Sequence, residues 1–115
     1  MKDLCTQNEK HMQIINKIKR KMFNEKLIID ICDLLKVISE PARLRIILAF
    51  NEGELCVNHI VEAVNGNQSA VSHQLRILKD NKVIKSRRQG QSIVYSLIDE
   101  HIMQIINLVK IHVEE

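Results

Sequence analysis

Along most of this chain apolar residues recur every three or four positions, the spacing of helices that bury one face. Met12, Ile15, Ile18 and Met22 predict a charged, weakly apolar helix from about Thr6 to Met22. Leu27, Ile31, Leu34, Leu35 and Ile38 predict a second from about Lys26 to Ile38, with Cys32 among them as a core thiol. Ser39-Glu40-Pro41 then punctuates the chain. Proline favours the first helical position and forces the residue before it out of helical geometry, so a third helix should start there and run to about Asn51. Its apolar positions are Leu44, Ile47, Leu48 and Phe50, and Glu52-Gly53-Glu54 ends it. A short helix from about Val57 to Val64 should turn Ile60, Val61 and Val64 inward. After the turn Asn65-Gly66-Asn67, a longer one from about Gln68 to Asn81 should bury Val71, Leu75 and Leu78. The pattern then shifts to strand-like runs, Val83–Arg88 and Ser92–Leu97, around Gln89-Gly90-Gln91, the signature of a hairpin. A final helix should span Asp99 to Glu115.

That last helix has two apolar reasons to be buried. At about 100° per residue, Ile102, Ile106, Val109 and Val113 share one side, while His101, Ile105, Leu108, His112 and Glu115 share another. The first side can pack on the body of its own subunit. The second is most economically covered by its own copy in a symmetric homodimer. His101 and His112 differ by only about 20° around the axis but lie roughly 16 Å apart along it, so one ion cannot touch both within one helix. In an antiparallel pair, Asp99 and His101 would meet His112 and Glu115 of the second copy, which makes four nitrogen and oxygen ligands per ion and two such sites per dimer.

The shorter helix, the tight turn and the longer helix over 57–81 form a helix-turn-helix. Gln68, Ser69, Ser72, His73 and Arg76 lie on the outward face of its second helix and suit phosphates and base edges in a major groove. A hairpin that follows such a helix is a wing. Arg87, Arg88 and Gln91 would carry its contacts to the phosphate backbone or minor groove, and Lys82 and Lys85 extend the positive surface. The expected fold class is mainly α with a small β-hairpin, a winged helix-turn-helix that is homodimeric through its N- and C-terminal helices. A single domain over 1–115 would hold an N-terminal arm and helix (1–23), the helix-turn-helix (57–81), the wing (83–97) and a dimerisation and metal-binding helix (99–115).

Composition narrows the function classes. Net charge is +3 over 115 residues, a mild excess that suits a polyanionic partner, and with 3% aromatic residues the core must be aliphatic. The cysteines Cys5, Cys32 and Cys56 are odd in number and no apolar leader stands near Met1, so reduced thiols and a cytoplasmic setting are expected. No apolar run approaches a membrane span. A closed four-ligand metal site leaves no open position for water or substrate, which disfavours an enzyme.

The segments Ser39-Glu40-Pro41-Ala42-Arg43-Leu44-Arg45-Ile46, Glu54-Leu55-Cys56-Val57, Gln68-Ser69-Ala70-Val71-Ser72-His73-Gln74-Leu75-Arg76 and Arg87-Arg88-Gln89-Gly90-Gln91-Ser92-Ile93-Val94-Tyr95 occur in this order. Together they strongly resemble the ArsR/SmtB family of metal-sensing winged-helix repressors, across nearly the whole chain from Lys26 onward. The resemblance implies a homodimer that binds an inverted-repeat operator in double-stranded DNA and is released when metal binds. It matches Asp99, His101, His112 and Glu115 to the ligands of the C-terminal-helix zinc site, with cobalt, nickel and cadmium left open as the physiological ion. It also implies that the backbone carbonyl of Lys82 lies next to His112 as an acceptor for the imidazole. A second kind of family site uses cysteines of the N-terminal arm and of the Glu-Leu-Cys-Val segment. The match is partial here: Cys56 is present, but Asn58 and His59 replace expected ligands, which leaves Cys5, His11, Cys56 and His59 as a candidate set. Thiol-based redox sensing, or cadmium or lead sensing at that set, is the alternative function.

Overall fold

In the computed structural model, which describes residues 8–115, six helices and three short strands follow in the order α1 (Asn8–Lys21), α2 (Glu25–Ile38), α3 (Pro41–Ala49), β1 (Leu55–Cys56), α4 (Val57–Val64), α5 (Gln68–Asp80), β2 (Ile84–Gln89), β3 (Ser92–Leu97) and α6 (His101–Glu114). Thr6 and Cys5 lie outside the described residues. The chain divides into two compact units, 1–32 and 33–115. In the first, Asn24 starts α2 by accepting the Leu27 N–H at 2.9 Å, and Met12, Ile18 and Met22 are at least half exposed. Cys32, expected in a core, is exposed, because it faces away from the α2 residues that reach one, Val37 and Ile38.

The second unit holds the core. Ile46, Ile47, Phe50, Ile60, Val71, Leu75, Leu78, Val83, Ile84 and Ile102 are each no more than 4% exposed. Two of the contributing helices are started by a side chain that accepts a backbone N–H of the first turn. Glu40 accepts the Arg43 N–H at 3.0 Å ahead of Pro41, and Asn67 accepts the Ala70 N–H at 2.9 Å ahead of α5. The third helix stops two residues short of the expected Asn51 and tightens into a 3-10 turn over Phe50–Glu52. At the end of α4, Asn65 takes the left-handed conformation at φ 53° and Gly66 donates to the Val61 carbonyl at 3.0 Å, a closure that needs no side chain at Gly66. A Cβ on Gly66 would come within 3.1 Å of Val71 and 3.3 Å of Val64, so this glycine sets how closely the two helices of the motif approach.

The sheet has the order β1-β3-β2, all antiparallel. Its third strand, two residues long, was not expected: a run of two cannot show alternation, and only pairing of Leu55 and Cys56 with Tyr95 and Val94 defines it. The hairpin pairs Gln89 with Ser92, so the turn is Gly90-Gln91 and not the three-residue turn read from the sequence. Gly90 has φ +63° at the first central position, where two-residue hairpins of this hand demand glycine. The result is a mainly helical winged helix-turn-helix with a small three-stranded sheet, and among the described residues no helix is long and apolar enough to cross a membrane.

Leu78 sits at 0% exposure in the centre of this core, on the helix that carries the outward polar face. Leu78→Ala should destabilise the fold by about 2–5 kcal/mol. Urea unfolding followed by circular dichroism checks this, with a lowered midpoint at unchanged slope expected.

Candidate functional site

The candidate reading surface expected on α5 is built from the back of that helix. Burial of Val71, Leu75 and Leu78 at 3% exposure or less turns the opposite side outward, and Gln68, Ser69, Ser72, His73 and Arg76 are all exposed there. Gln68 is the first residue after the Asn67 cap, so these groups cluster at the N-terminal half of the helix, where free backbone N–H groups also favour anions. One flank of α5 is pinned from the side. Arg43 donates from Nε to the Val37 carbonyl at 2.8 Å and from Nη1 to Gln74 Oε1 at 3.1 Å, so one half-buried guanidinium joins the last turn of α2 to α5. Arg43 had no role assigned from the sequence, since its reach of thirty-one residues to Gln74 leaves no local signal.

The two wing arginines differ. Alternation along β2 sends Arg87 and Arg88 to opposite faces. Arg88 is exposed and carries no ion pair among the described residues. Arg87 lies back across the sheet in a forked contact with Glu54, Nε to Oε2 at 2.9 Å and Nη2 to Oε1 at 2.7 Å, and also reaches Gln89 Oε1 at 3.1 Å. Glu54 stands just before β1 and Arg87 on β2, with β3 between them, so the pair spans all three strands. The Arg87 hydrogen bond, opposed by partial burial and aided by the charges of Arg87 and Lys85, holds the Glu54 carboxyl below the ordinary glutamate range. The hairpin tip is Gly90-Gln91; Arg87 stands three residues back and its charge is already engaged. Gln91 is exposed in the turn itself.

On the same sheet face, Cys56 Sγ lies 3.4 Å from His59 Nδ1, because Cys56 is the residue before α4 and His59 falls one turn into it. They line a shallow hollow with Glu54, Gln89, Ser92 and Val94. His11 belongs to the other unit and Cys5 lies outside the described residues, so the four-residue set is represented here by its Cys56–His59 pair.

The ligand candidates of the C-terminal helix fall into two pairs. Asp99 accepts the His101 backbone N–H through Oδ1 at 2.9 Å, a capping contact, while Oδ2 lies 3.2 Å from His101 Nδ1. Both side chains are substantially exposed, 45% and 73%. At the other end, the Glu115 N–H reaches the His112 carbonyl at 3.4 Å, which keeps these two within one turn. The helix separates the pairs, and among the described residues no three His, Cys, Asp or Glu side chains of one chain gather as a metal site. Each pair offers carboxylate oxygen and imidazole nitrogen, donors of the kind that suit zinc.

The apolar faces of α6 depart from expectation. Ile102 is buried at 4% and Ile106 packs on the core, but Val109 and Val113, expected on the same covered side, are 55% and 75% exposed. The helix extends about 21 Å, further than the core beneath it. Its distal half leaves an apolar groove against α2 and α3, lined by Leu35, Leu44, Leu48, Ile105, Ile106 and Val109, with Leu108 68% exposed beside it. Among the described residues the Lys82 carbonyl accepts no hydrogen bond from His112; Lys82, two residues past the end of α5, is in the left-handed conformation at φ 60° and its N–H donates to the Lys79 carbonyl at 3.1 Å.

Residues 40–86 match the family described as "Bacterial regulatory protein, arsR family". The chain is 33% identical to a transcriptional repressor SmtB homolog of Synechocystis sp., over 97% of this chain and 85% of that protein. It is 30% identical to a cadmium resistance transcriptional regulatory protein CadC homolog of Staphylococcus aureus, over 99% of this chain and 94% of that one. A homodimeric winged helix-turn-helix DNA-binding domain from Mycobacterium bovis superposes with a TM-score of 0.73 at 25% identity, over 83% of this chain and 90% of that structure.

Because the Glu54 carboxyl is held below its ordinary range, its contribution to stability is present above the ordinary glutamate value and is lost as pH falls through the lowered one. The stability difference between the native protein and Glu54→Gln should therefore be largest near neutrality and shrink as pH drops below about 4. Thermal unfolding of both proteins across this range is the measurement; a difference that does not change with pH would contradict the assignment.

Proposed function

Since the chain belongs to the ArsR family of bacterial regulatory proteins, we propose that it is a metal-responsive transcriptional repressor whose homodimer binds an inverted-repeat operator in double-stranded DNA. The observation that carries the sensing half of this reading is the split ligand set of α6, with Asp99 and His101 3.2 Å apart at its head and His112 and Glu115 one helix length away. A set divided in this way is completed by a second copy lying antiparallel. The exposed Leu108, Val109, Ile111 and Val113 supply the apolar surface such a pairing would cover.

Asp99 and His101 of one chain, with His112 and Glu115 of the second, would hold zinc or a similar divalent ion, cobalt, nickel or cadmium, and the bound cation would cross-link the two C-terminal helices. The chain's own residues then connect that helix to the reading head. Ile102 and Ile106 seat α6 on the core that also holds Leu75 and Leu78 of α5, so a shift in α6 is felt by the recognition helix through packed side chains. Metal and DNA affinities are coupled reciprocally: whatever metal subtracts from operator binding, operator subtracts from metal binding. Gln68, Ser69, Ser72, His73 and Arg76 would read the major groove, and Arg88 and Gln91 the backbone or minor groove beyond it. Arg87 would act first as a brace for the wing, through Glu54. Nothing in this scheme requires catalysis, and the protein would work in the cytoplasm with its DNA.

A second reading, thiol-based redox sensing or sensing of cadmium or lead, draws on the 3.4 Å Cys56–His59 pair. Thiolate and imidazole suit soft and borderline ions. Replacing Cys5, Cys32 and Cys56 together separates the readings: a sensor built on α6 keeps its response, and one built on thiols loses it.

His112→Ala should abolish the response to zinc while metal-free DNA binding persists. Fluorescence anisotropy of a labelled duplex, selected by the protein from a random pool, is the measurement; continued release by zinc would refute the ligand assignment. In the same assay at varied salt, Arg88→Ala should reduce the magnitude of the log–log salt slope by about 1. Arg87→Ala should change it by less, because its charge is shared with Glu54.

A further inference from the structure

Among the described residues, the cationic side chains around the reading surface fall into two groups. Arg87 is engaged by Glu54, whereas Arg76 and Lys79 have no ion-pair partner. These two, with Ser72, occupy positions i, i+4 and i+7 of α5 and so form one stripe along the helix. That stripe borders a cleft of about 360 Å³ whose other wall carries Tyr95 of β3, with Leu75 as its floor and Asp80 at its end. Leu75 is buried at 2% and Tyr95 is half-buried against the core, so both walls of the cleft are set by packing. A hydroxyl, a guanidinium, an ammonium and a phenol thus converge on a space that would hold roughly a dozen waters.

We propose that this cleft is the seat of a DNA backbone phosphate, with Lys79 and Tyr95 as binding residues in addition to the outward face of α5. The inference rests on the DNA-binding reading above and extends it. A duplex whose major groove receives α5 and whose neighbouring minor groove receives the hairpin must carry one backbone strand between the two grooves. The gap between α5 and the sheet is where that strand passes. Lys79 and Arg76 supply charge to the phosphate, Ser72 and Tyr95 supply neutral hydroxyl donors, and such contacts set register without reading sequence. Asp80 opposes the phosphate and moderates the affinity. A free phosphate-bearing ligand could use the same donors; the cleft's position between the two DNA-facing elements selects the duplex.

The experiment uses the full-length protein, the selected duplex and a scrambled duplex, with anisotropy read across a salt series. Lys79→Ala should weaken binding to both duplexes by about 3- to 10-fold and lower the magnitude of the salt slope by about 0.9. Tyr95→Phe should weaken both while leaving the slope unchanged. Asp80→Asn should tighten both, an outcome that a merely structural role for this exposed residue would not produce. Circular dichroism melts of each variant confirm folding. If Lys79→Ala and Asp80→Asn leave affinity and slope unchanged while Arg88→Ala alters them on the same duplex, the cleft assignment is overturned and the DNA-binding reading stands. If the native protein binds no duplex, both fall. Millimolar inorganic phosphate at constant ionic strength should not displace the duplex; displacement relieved by Lys79→Ala would make a free anion the ligand and overturn the duplex as the source.

Discussion

Three apolar side chains on one stripe of α5, Val71, Leu75 and Leu78, determine what the rest of this molecule presents to its surroundings. With all three at 3% exposure or less, the helix cannot rotate without exposing them, at roughly 1.5–3 kcal/mol for each side chain brought back into water. Rotation is further opposed by Arg43, whose guanidinium ties Gln74 to the end of α2, and by Gly66, whose missing side chain admits Val71 close to α4. The outward polar row from Gln68 to Arg76 is therefore held at a defined angle by contacts on the far side of the helix. Recognition elements need such a support, because polar groups that swing freely lose on ordering much of what they gain on contact.

The C-terminal helix solves a different problem. Its first turns share the core that holds α5, and its last turns carry exposed valine, leucine and isoleucine beyond the edge of that core. A helix half committed to its own subunit and half uncommitted is suited to transmit what happens at its free end. In the proposed mechanism, small changes there would reach α5 through the shared core, because close-packed side chains convert small shifts into discrete rearrangements. Of the candidate ligand pairs, Asp99 and His101 lie at the seated end of α6 and His112 and Glu115 at its free end, and in the proposed dimer a second copy would bring the two kinds of end together.

Electrostatics in this chain are distributed more selectively than the modest net charge suggests. The Glu54–Arg87 fork takes one arginine out of the pool available to a polyanion and spends it on bracing three short strands. Exposed pairs of this kind contribute little to overall stability. Their value here is orientational: a two-residue β1 has almost no ladder of its own. Among the described residues Arg76, Arg88 and Lys79 enter no ion pair.

Much of the architecture was legible along the chain. The order of helices, the α4 bounds and the β3 bounds follow from local periodicity and from turn residues, signals that need no distant partner. The spacing of the candidate ligands on α6 was legible for the same reason, since helical geometry alone places Asp99 beside His101 and far from His112. What local pattern could not supply was every feature that depends on where elements meet. The strand at Leu55–Cys56 exists only through pairing with β3, Cys32 and Val109 lie outside a core whose extent no periodicity reveals, and Arg87 turns to a carboxylate thirty-three residues away. The sequence by itself determined which residues form helices and which faces are apolar, because those are set by neighbours within one turn. Only the tertiary structure decided which apolar faces are covered and which charges remain free, because both depend on long-range packing that brings α3, α4, α5, the sheet and α6 around a single core.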